Sequence, residues 1–246
     1  MAKIRSEGYT IVEVMLFLAI TGILVATLLG GWTVLISTQR YKDSVDTTFG
    51  YLQDQYNLTY NVENERASSF SCDSSGVSAS GGTKSRGQSD CVLLGRYIVL
   101  KDGTDFMSYA VVGSAPTMEP IGTDESVINA YAPKVVTESI GLTESSLTVP
   151  WGAVIEDAGG TNTPQNIAIL ILRTPTNNGT VHTYTTNFDG TPSIDSTDVT
   201  AANANNDVKL CFDAQTFVRG AGKGVIIKKN ASSRNSVEIL ADIGTC

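Results

Sequence analysis

The sequence predicts an α+β protein, one long amino-terminal helix followed by an antiparallel sheet. Three observations carry this. Residues 14–39 contain no Asp, Glu, Lys, Arg or His, a run whose length suits a helix better than a strand. Beyond it Tyr41, Val45, Phe49, Leu52, Tyr56 and Tyr60 recur every three or four residues, which continues the helix as an amphipathic one. From Val92 onward, short apolar runs alternate with turn residues, the pattern of strands. Strands that follow a helix, without alternating with further helices, belong to the α+β class.

The uncharged run would reach ~39 Å as a helix, against ~30 Å of bilayer hydrocarbon. Leu16, Leu18, Ile20, Ile23, Leu24, Val25, Leu28 and Leu29 place apolar groups on every side of it, as lipid requires. Lys3 and Arg5 ahead of the run favour a cytoplasmic amino end and an external location for everything after about Arg40. Glu13 is the one acid at the head of the run. An acid at a helix centre costs roughly 2.5 to 3.5 kcal/mol on insertion scales, so such residues tend to have partners and tasks.

Gly8-Tyr9-Thr10-Ile11-Val12-Glu13 before an uncharged helix resembles the amino terminus of type IV pilins and pseudopilins. The resemblance implies that a prepilin peptidase cuts after Gly8 and that the new amino group on Tyr9 is methylated. It also implies that Glu13 pairs with the amino terminus of a neighbouring subunit in a filament. Burial of a carboxylate is tolerable when it is paired with a cation, so the pair acts as a register device. A secretory signal is cut after its apolar run, whereas this site precedes it, so the mature chain keeps the helix. A plain single-span anchor is the competing reading, and it leaves Glu13 unexplained. Two positions depart from the family pattern: Tyr9 stands where Phe is usual, and Gly30 where many pilins have a helix-breaking proline. Gly22, Gly30 and Gly31 each lower helix propensity by about 1 kcal/mol relative to Ala.

The resulting organisation is a leader over residues 1–8, a membrane and filament-core helix over 9–39, and an exported head over 40–246. The head includes the amphipathic half of the helix, 40–63. About 180 residues remain once the exposed helix is set aside, enough for a real core. Net charge is −8, which disfavours nonspecific nucleic-acid binding by the surface as a whole. Cys72, Cys91, Cys211 and Cys246 all follow the apolar run, and an even count in an exported domain favours disulfides. Three pairings exist. Cys72–Cys91 with Cys211–Cys246 joins nearby chain in each case, and buried free thiols are the alternative. No C-x-x-C spacing points to zinc.

After the helix, residues 67–90 are rich in Ser, Gly, Thr and Asp and read as a surface loop. Val92–Leu100 and Phe106–Val112 flank Lys101-Asp102-Gly103-Thr104 as a hairpin. Further strands are expected at Val127–Val136, Leu147–Ile155, Ile167–Arg173, Val181–Thr186, Val208–Val218, Gly224–Lys229 and Ser236–Ala241. Residues 187–207 read as a second polar loop, and Gly220-Ala221-Gly222-Lys223-Gly224 as a turn. Trp151-Gly152-Ala153-Val154-Ile155 and Leu210-Cys211-Phe212-Asp213 resemble patterns in pseudopilin H and DNA-uptake minor pilins.

No catalytic constellation stands out. His182 is the only histidine, it falls in an expected strand, and no nucleophile sits at an elbow. Lys223 has no Ser or Thr after it, so the glycine-rich turn is no phosphate loop. An enzyme is not expected, nor a cofactor. Asp195, Asp198, Asn203, Asn205 and Asp207 form an oxygen-rich stretch that could take calcium, although their order does not match a calcium loop. Asx-rich turns are the other reading. Asn57, Asn178 and Asn230 open glycosylation sequons. Arg219, Lys223, Lys228, Lys229 and Arg234 span a stretch without acids. On one face they could bind DNA phosphates; the alternative is a solvated hairpin whose lysines protect a sheet edge. The expected partners are other pilin subunits, the peptidase, the membrane before assembly, and DNA if the basic stretch is a binding face. A minor pilin is the leading reading. A secretion pseudopilin and a DNA-capturing tip subunit share its amino terminus.

Overall fold

The computed structural model describes residues 10–61, 71–73, 76–78, 90–137, 145–157, 163–175, 179–213 and 223–240. Helix α1 runs Ile11–Tyr60 over 50 residues, about 75 Å at helical rise. No proline interrupts it, and it ends on Asn61, whose N–H donates to Asn57 O at 2.8 Å. Then follow β1 (Ser71–Asp73), β2 (Gly76–Ser78), β3 (Cys91–Lys101), β4 (Asp105–Ser114), α2 (Asp124–Ala130), β5 (Lys134–Val136) and β6 (Ser145–Thr148). The remaining elements are β7 (Ile155–Glu156), β8 (Ile167–Arg173), β9 (Val181–Asn187), α3 (Ala201–Ala204), β10 (Val208–Phe212), β11 (Gly224–Ile227) and β12 (Val237–Leu240).

One antiparallel sheet has the order β5-β4-β3-β8-β9, with β6 also paired to β4. A second has the order β12-β11-β10-β7. The β3–β4 hairpin turns where expected, with Asp102 and Gly103 at φ 51° and 66°, the left-handed pair a tight hairpin turn demands. Gly95 marks a bulge in β3. Its φ is +155°, and a Cβ there would meet the Ile171 carbonyl oxygen at 2.0 Å, so only glycine lets β3 and β8 approach.

The carboxyl half of α1 packs against both sheets in one core. Tyr41, Val45, Leu52 and Tyr56 meet Ile98, Leu100, Phe106, Ile169 and Ile171 from the larger sheet, and Leu210, Val225 and Ile227 from the smaller. The opposite face of the larger sheet is also covered. There Tyr97, Val99, Leu170 and Tyr184 lie under Ile128 of α2, Val199 and Ala204. With two buried faces, β3 and β8 read as continuous apolar runs while neighbouring residues still alternate between the two cores. This is the α+β architecture expected from the sequence, a long helix on antiparallel sheets.

Several expected elements come out differently. Residues 127–136 are not one strand. Thr123 caps α2 by accepting from Ser126 N at 3.4 Å, Asp124 and Glu125 occupy its first turn, and Pro133 separates it from β5. An acidic first turn behind a threonine cap is a helix start. Residues 147–155 are broken by Pro150 into β6, a 3₁₀ turn at Pro150–Gly152, and β7. Residues 187–207 hold α3 and bury Val199 and Ala204, so they form a lid on the sheet as well as a polar surface. Within 67–90, β1 and β2 form a small ribbon whose Cys72 and Val77 pack on Val112 and Val136. The strand expected over 208–218 ends at Phe212, and residues 214–218 lie outside the described residues.

Candidate functional site

Among the described side chains between Ile11 and Ile36, α1 presents its large apolar ones to the outside. Leu16, Phe17, Leu28 and Leu35 are 62%, 67%, 63% and 68% exposed. None of the most apolar window of this half is buried by the head. The helix is long and apolar enough to cross a membrane. Two of its hydroxyls bond their own backbone: Thr21 Oγ1 donates to Phe17 O at 2.8 Å and Thr27 Oγ1 to Leu24 O at 2.9 Å. Such internal satisfaction is what a hydrocarbon surrounding demands.

Glu13 is held by the residue three before it. Its Oε2 accepts from Thr10 N and from Thr10 Oγ1, both at 3.0 Å, and Glu13 N donates to Thr10 Oγ1 at 3.4 Å. This is a reciprocal capping box at the start of α1. Thr10-Ile11-Val12-Glu13 ahead of an apolar run carries its signature, so the sequence contained the signal. Gly8 and Tyr9 lie outside the described residues.

The other half of α1 is fixed to the head by polar groups as well as by its stripe. Ser44 Oγ donates to Pro150 O at 2.8 Å. Gln55 donates to Ser145 Oγ at 3.0 Å and accepts from Ser108 Oγ at 2.6 Å. Tyr56 OH and Thr183 Oγ1 are 2.6 Å apart, and Tyr60 OH donates to Ser232 O at 2.6 Å. Tyr41 OH donates to Phe212 O at 3.3 Å and accepts from Lys223 N. Burial lifts the Tyr41, Tyr51 and Tyr56 hydroxyls above the ordinary tyrosine range, because the charged phenolate is disfavoured away from water. They therefore act as neutral donors and acceptors.

Cys72 and Cys91 are joined and tie the β1–β2 ribbon to β3. Cys211 is also disulfide-bonded; Cys246 lies outside the described residues. The basic residues are distributed along the smaller sheet. Lys223 sits beside Tyr41, whereas Arg234 O accepts from Gln53 Nε2 at 3.3 Å, ~18 Å further along α1 at helical rise. Lys228 Nζ pairs with Glu238 at 3.4 Å, and Lys229 N donates to Asp207 Oδ1 at 2.8 Å. The strand pairing thus brings Glu238 and Asp207 into a stretch free of acids in the sequence. Arg219 and Gly220–Gly222 lie outside the described residues.

Asp195 and Asp198 form a closed turn, with Asp195 N donating to Asp198 Oδ2 at 2.8 Å. Asn203 Nδ2 donates to Asp198 O at 2.9 Å, and Asn205 caps α3 through its backbone. Asp207 serves the β11 turn instead, so the three acids are not gathered on one point. Asp195 also lines a groove with Val77, Asn129, Pro133 and Lys134. Of the sequons, Asn57 and the buried Thr59 lie inside α1, Asn230 is exposed at a turn with φ 53°, and Asn178 falls outside the described residues.

Two arrangements are tertiary and were not foreseen. His182 Nε2 lies 2.7 Å from Asp124 Oδ2, which also accepts from Thr180 Oγ1 at 3.1 Å, and this links α2 to β9. The two short segments noted in the sequence are strand neighbours: Phe212 pairs Ile155, Cys211 pairs Glu156, and Asp213 N donates to Val154 O at 2.8 Å. Comparisons with protein-family profiles, curated proteins and solved structures give no match for this chain.

Proposed function

We propose that this chain is a structural filament subunit of the minor pilin kind. In this reading a prepilin peptidase cleaves Gly8–Tyr9 and the chain resides in the cytoplasmic membrane through α1 with its head outside. It then joins other pilin subunits in a surface filament. One observation carries the reading: a single unbroken helix has an exposed apolar half led by Glu13 and a second half that is the spine of the head. An apolar half-helix that the head leaves bare needs a non-aqueous partner, first lipid and then the same halves of neighbouring subunits. The capping box gives Glu13 partners while the subunit is alone. In the filament the Tyr9 amine of a neighbour would take over that role. A pseudopilin of a type II secretion-like system would use the same helix in the same way. The spread of Lys223, Lys228, Lys229 and Arg234 favours neither reading, and DNA capture gains no specific support from it.

The test is expression in a pilus-bearing host followed by intact-mass analysis and filament purification. The mature chain is expected to lack residues 1–8 and to carry a methyl group on Tyr9. Glu13→Ala is expected to insert into the membrane normally, since it removes an intramembrane charge, and to be depleted from filaments. A mature chain that still begins at Met1, or a Glu13→Ala subunit recovered in filaments at the wild-type level, would overturn the proposal.

A further inference from the structure

Where α1 enters the head, the fold holds a strained aromatic at the surface. Trp151 has φ 63° and ψ 14° inside the Pro150–Gly152 turn, a left-handed conformation costly for a bulky residue. The strain does not bury the ring, which is 52% exposed. The Arg40 guanidinium lies 4.9 Å from the ring centroid, within cation–π range. Ser44 Oγ lies 2.8 Å from Pro150 O and 3.0 Å from Arg40 O, and its single hydroxyl proton is shared between them, so the turn is fastened to α1 at this level.

That level is set by the apolar run. Leu35 and Ile36 are still exposed apolar residues, and Arg40 follows ~6 Å further along the axis. The polar layer on each side of a bilayer's hydrocarbon is about 5–8 Å thick. Tryptophan is enriched at that depth, and an Arg stem reaches along apolar surface while its head stays wet. Lys42 is exposed beside Arg40, and Lys223 meets Tyr41 through its backbone. The acids of the same region are Asp43, Asp213 and Glu156.

We propose that Trp151 and Arg40 form an interfacial anchor that seats the base of the head in the lipid headgroup layer of the membrane holding α1. The occupant is the bilayer surface because the exposed apolar half of α1 delivers the turn to it. The anchor limits the rotation of the whole subunit about the α1 axis and its tilt relative to the bilayer before assembly. This inference rests on reading α1 as the membrane-spanning segment.

The chain has two tryptophans, Trp32 and Trp151, so each can be made the sole reporter. Trp32 is 65% exposed on the apolar half, and Trp32→Phe disturbs nothing in the head. The full chain is reconstituted in phosphatidylcholine–phosphatidylglycerol vesicles. Part of the phosphatidylcholine carries either a nitroxide on its headgroup or bromine on its acyl chains. In Trp32→Phe, the Trp151 emission is expected to lose intensity with the headgroup nitroxide. In Trp151→Phe, the Trp32 emission is expected to lose intensity with acyl bromine. An unquenched Trp32 would defeat the spanning reading and the anchor with it. A quenched Trp32 beside a Trp151 indifferent to the nitroxide would overturn the anchor alone. A Trp151 emission that ignores the nitroxide and changes with the protein-to-lipid ratio would assign the ring to a second copy, and would equally overturn it.

Discussion

Leu28 and Leu52 sit on the same helix, and the first is 63% exposed while the second is fully buried. The contrast runs through the two halves of α1. Past Glu13, from Val14 to Ile36, the described side chains are apolar on every side, and the Thr21 and Thr27 hydroxyls bond their own backbone. From Tyr41 to Tyr60 the apolar stripe is interleaved with buried Ser44, Thr48, Gln55 and Thr59. A uniform apolar surface suits any apolar surroundings and fixes neither rotation nor register. The second half does fix them, because Gln55 and Tyr56 must meet Ser108, Ser145 and Thr183 at hydrogen-bonding distance. One continuous helix therefore combines an adaptable handle with a rigid seat.

The sharpest way to break that comparison is one substitution made in both halves. Leu52→Ala should cost the head roughly 3–5 kcal/mol, since it opens a cavity in a core closed on all sides. Leu28→Ala should leave the head's unfolding unchanged. Urea unfolding of the full chain in detergent micelles, followed by near-ultraviolet circular dichroism, measures both. Equal losses would mean that the two halves share one cooperative packing unit.

A second change sharpens the comparison by probing a region tied down without α1. The β1–β2 ribbon packs in its own small cluster with Val112 and Val136, and a disulfide across a separation of 19 residues holds it. Replacing Cys72 and Cys91 by Ser should lower unfolding stability by about 3 kcal/mol in the chain-entropy model. Hydrogen exchange should show the ribbon losing protection before residues Tyr41–Tyr60 do. Matched losses in both places would instead make ribbon and helix a single folding unit.

Much of the head was legible from local pattern. The runs around Ile98, Val111, Ile169 and Tyr184 combine β-branched or aromatic residues with clear turn residues, and all are strands. The misses share a cause. Val127 and Ile128 look strand-like, but a threonine cap and two acids turn them into a helix whose Ile128 covers the far face of the sheet. Val199 and Ala204 were hidden in a polar stretch because they are isolated apolar residues among polar ones, and they close that face together with Ile128, Phe188 and Ile194. The site divides in the same way. Glu13 stood out as a lone acid, and its Thr10 partner was within reach of a capping rule. The Asp124–His182 pair, the Arg40–Trp151 stack and the acids beside Lys228 and Lys229 depend on chain pairing that no local spacing encodes.

The smallest expected effect lies at the boundary between the two halves. Glu156 on β7 is held above the ordinary carboxylate value, first by partial burial and then by the nearby charge of Asp213. That same charge also acts on Tyr41, where α1 enters the head. The sign follows from linkage. A raised folded value means the wild-type head keeps this contribution in full below the unfolded value, near 4.5. The contribution is lost as pH rises through the folded value. Gln does not titrate, so Glu156→Gln should be slightly more stable than wild type near neutral pH, by no more than ~0.5 kcal/mol for a partly exposed site. The difference should vanish once the carboxyl is protonated in both folded and unfolded chains. Urea midpoints for both proteins at neutral pH and at a pH below the carboxylate range measure it. A gain that persists unchanged in acid would trace to hydrogen bonding or packing at β7, and the Asp213 charge would then carry no weight at the seat of α1.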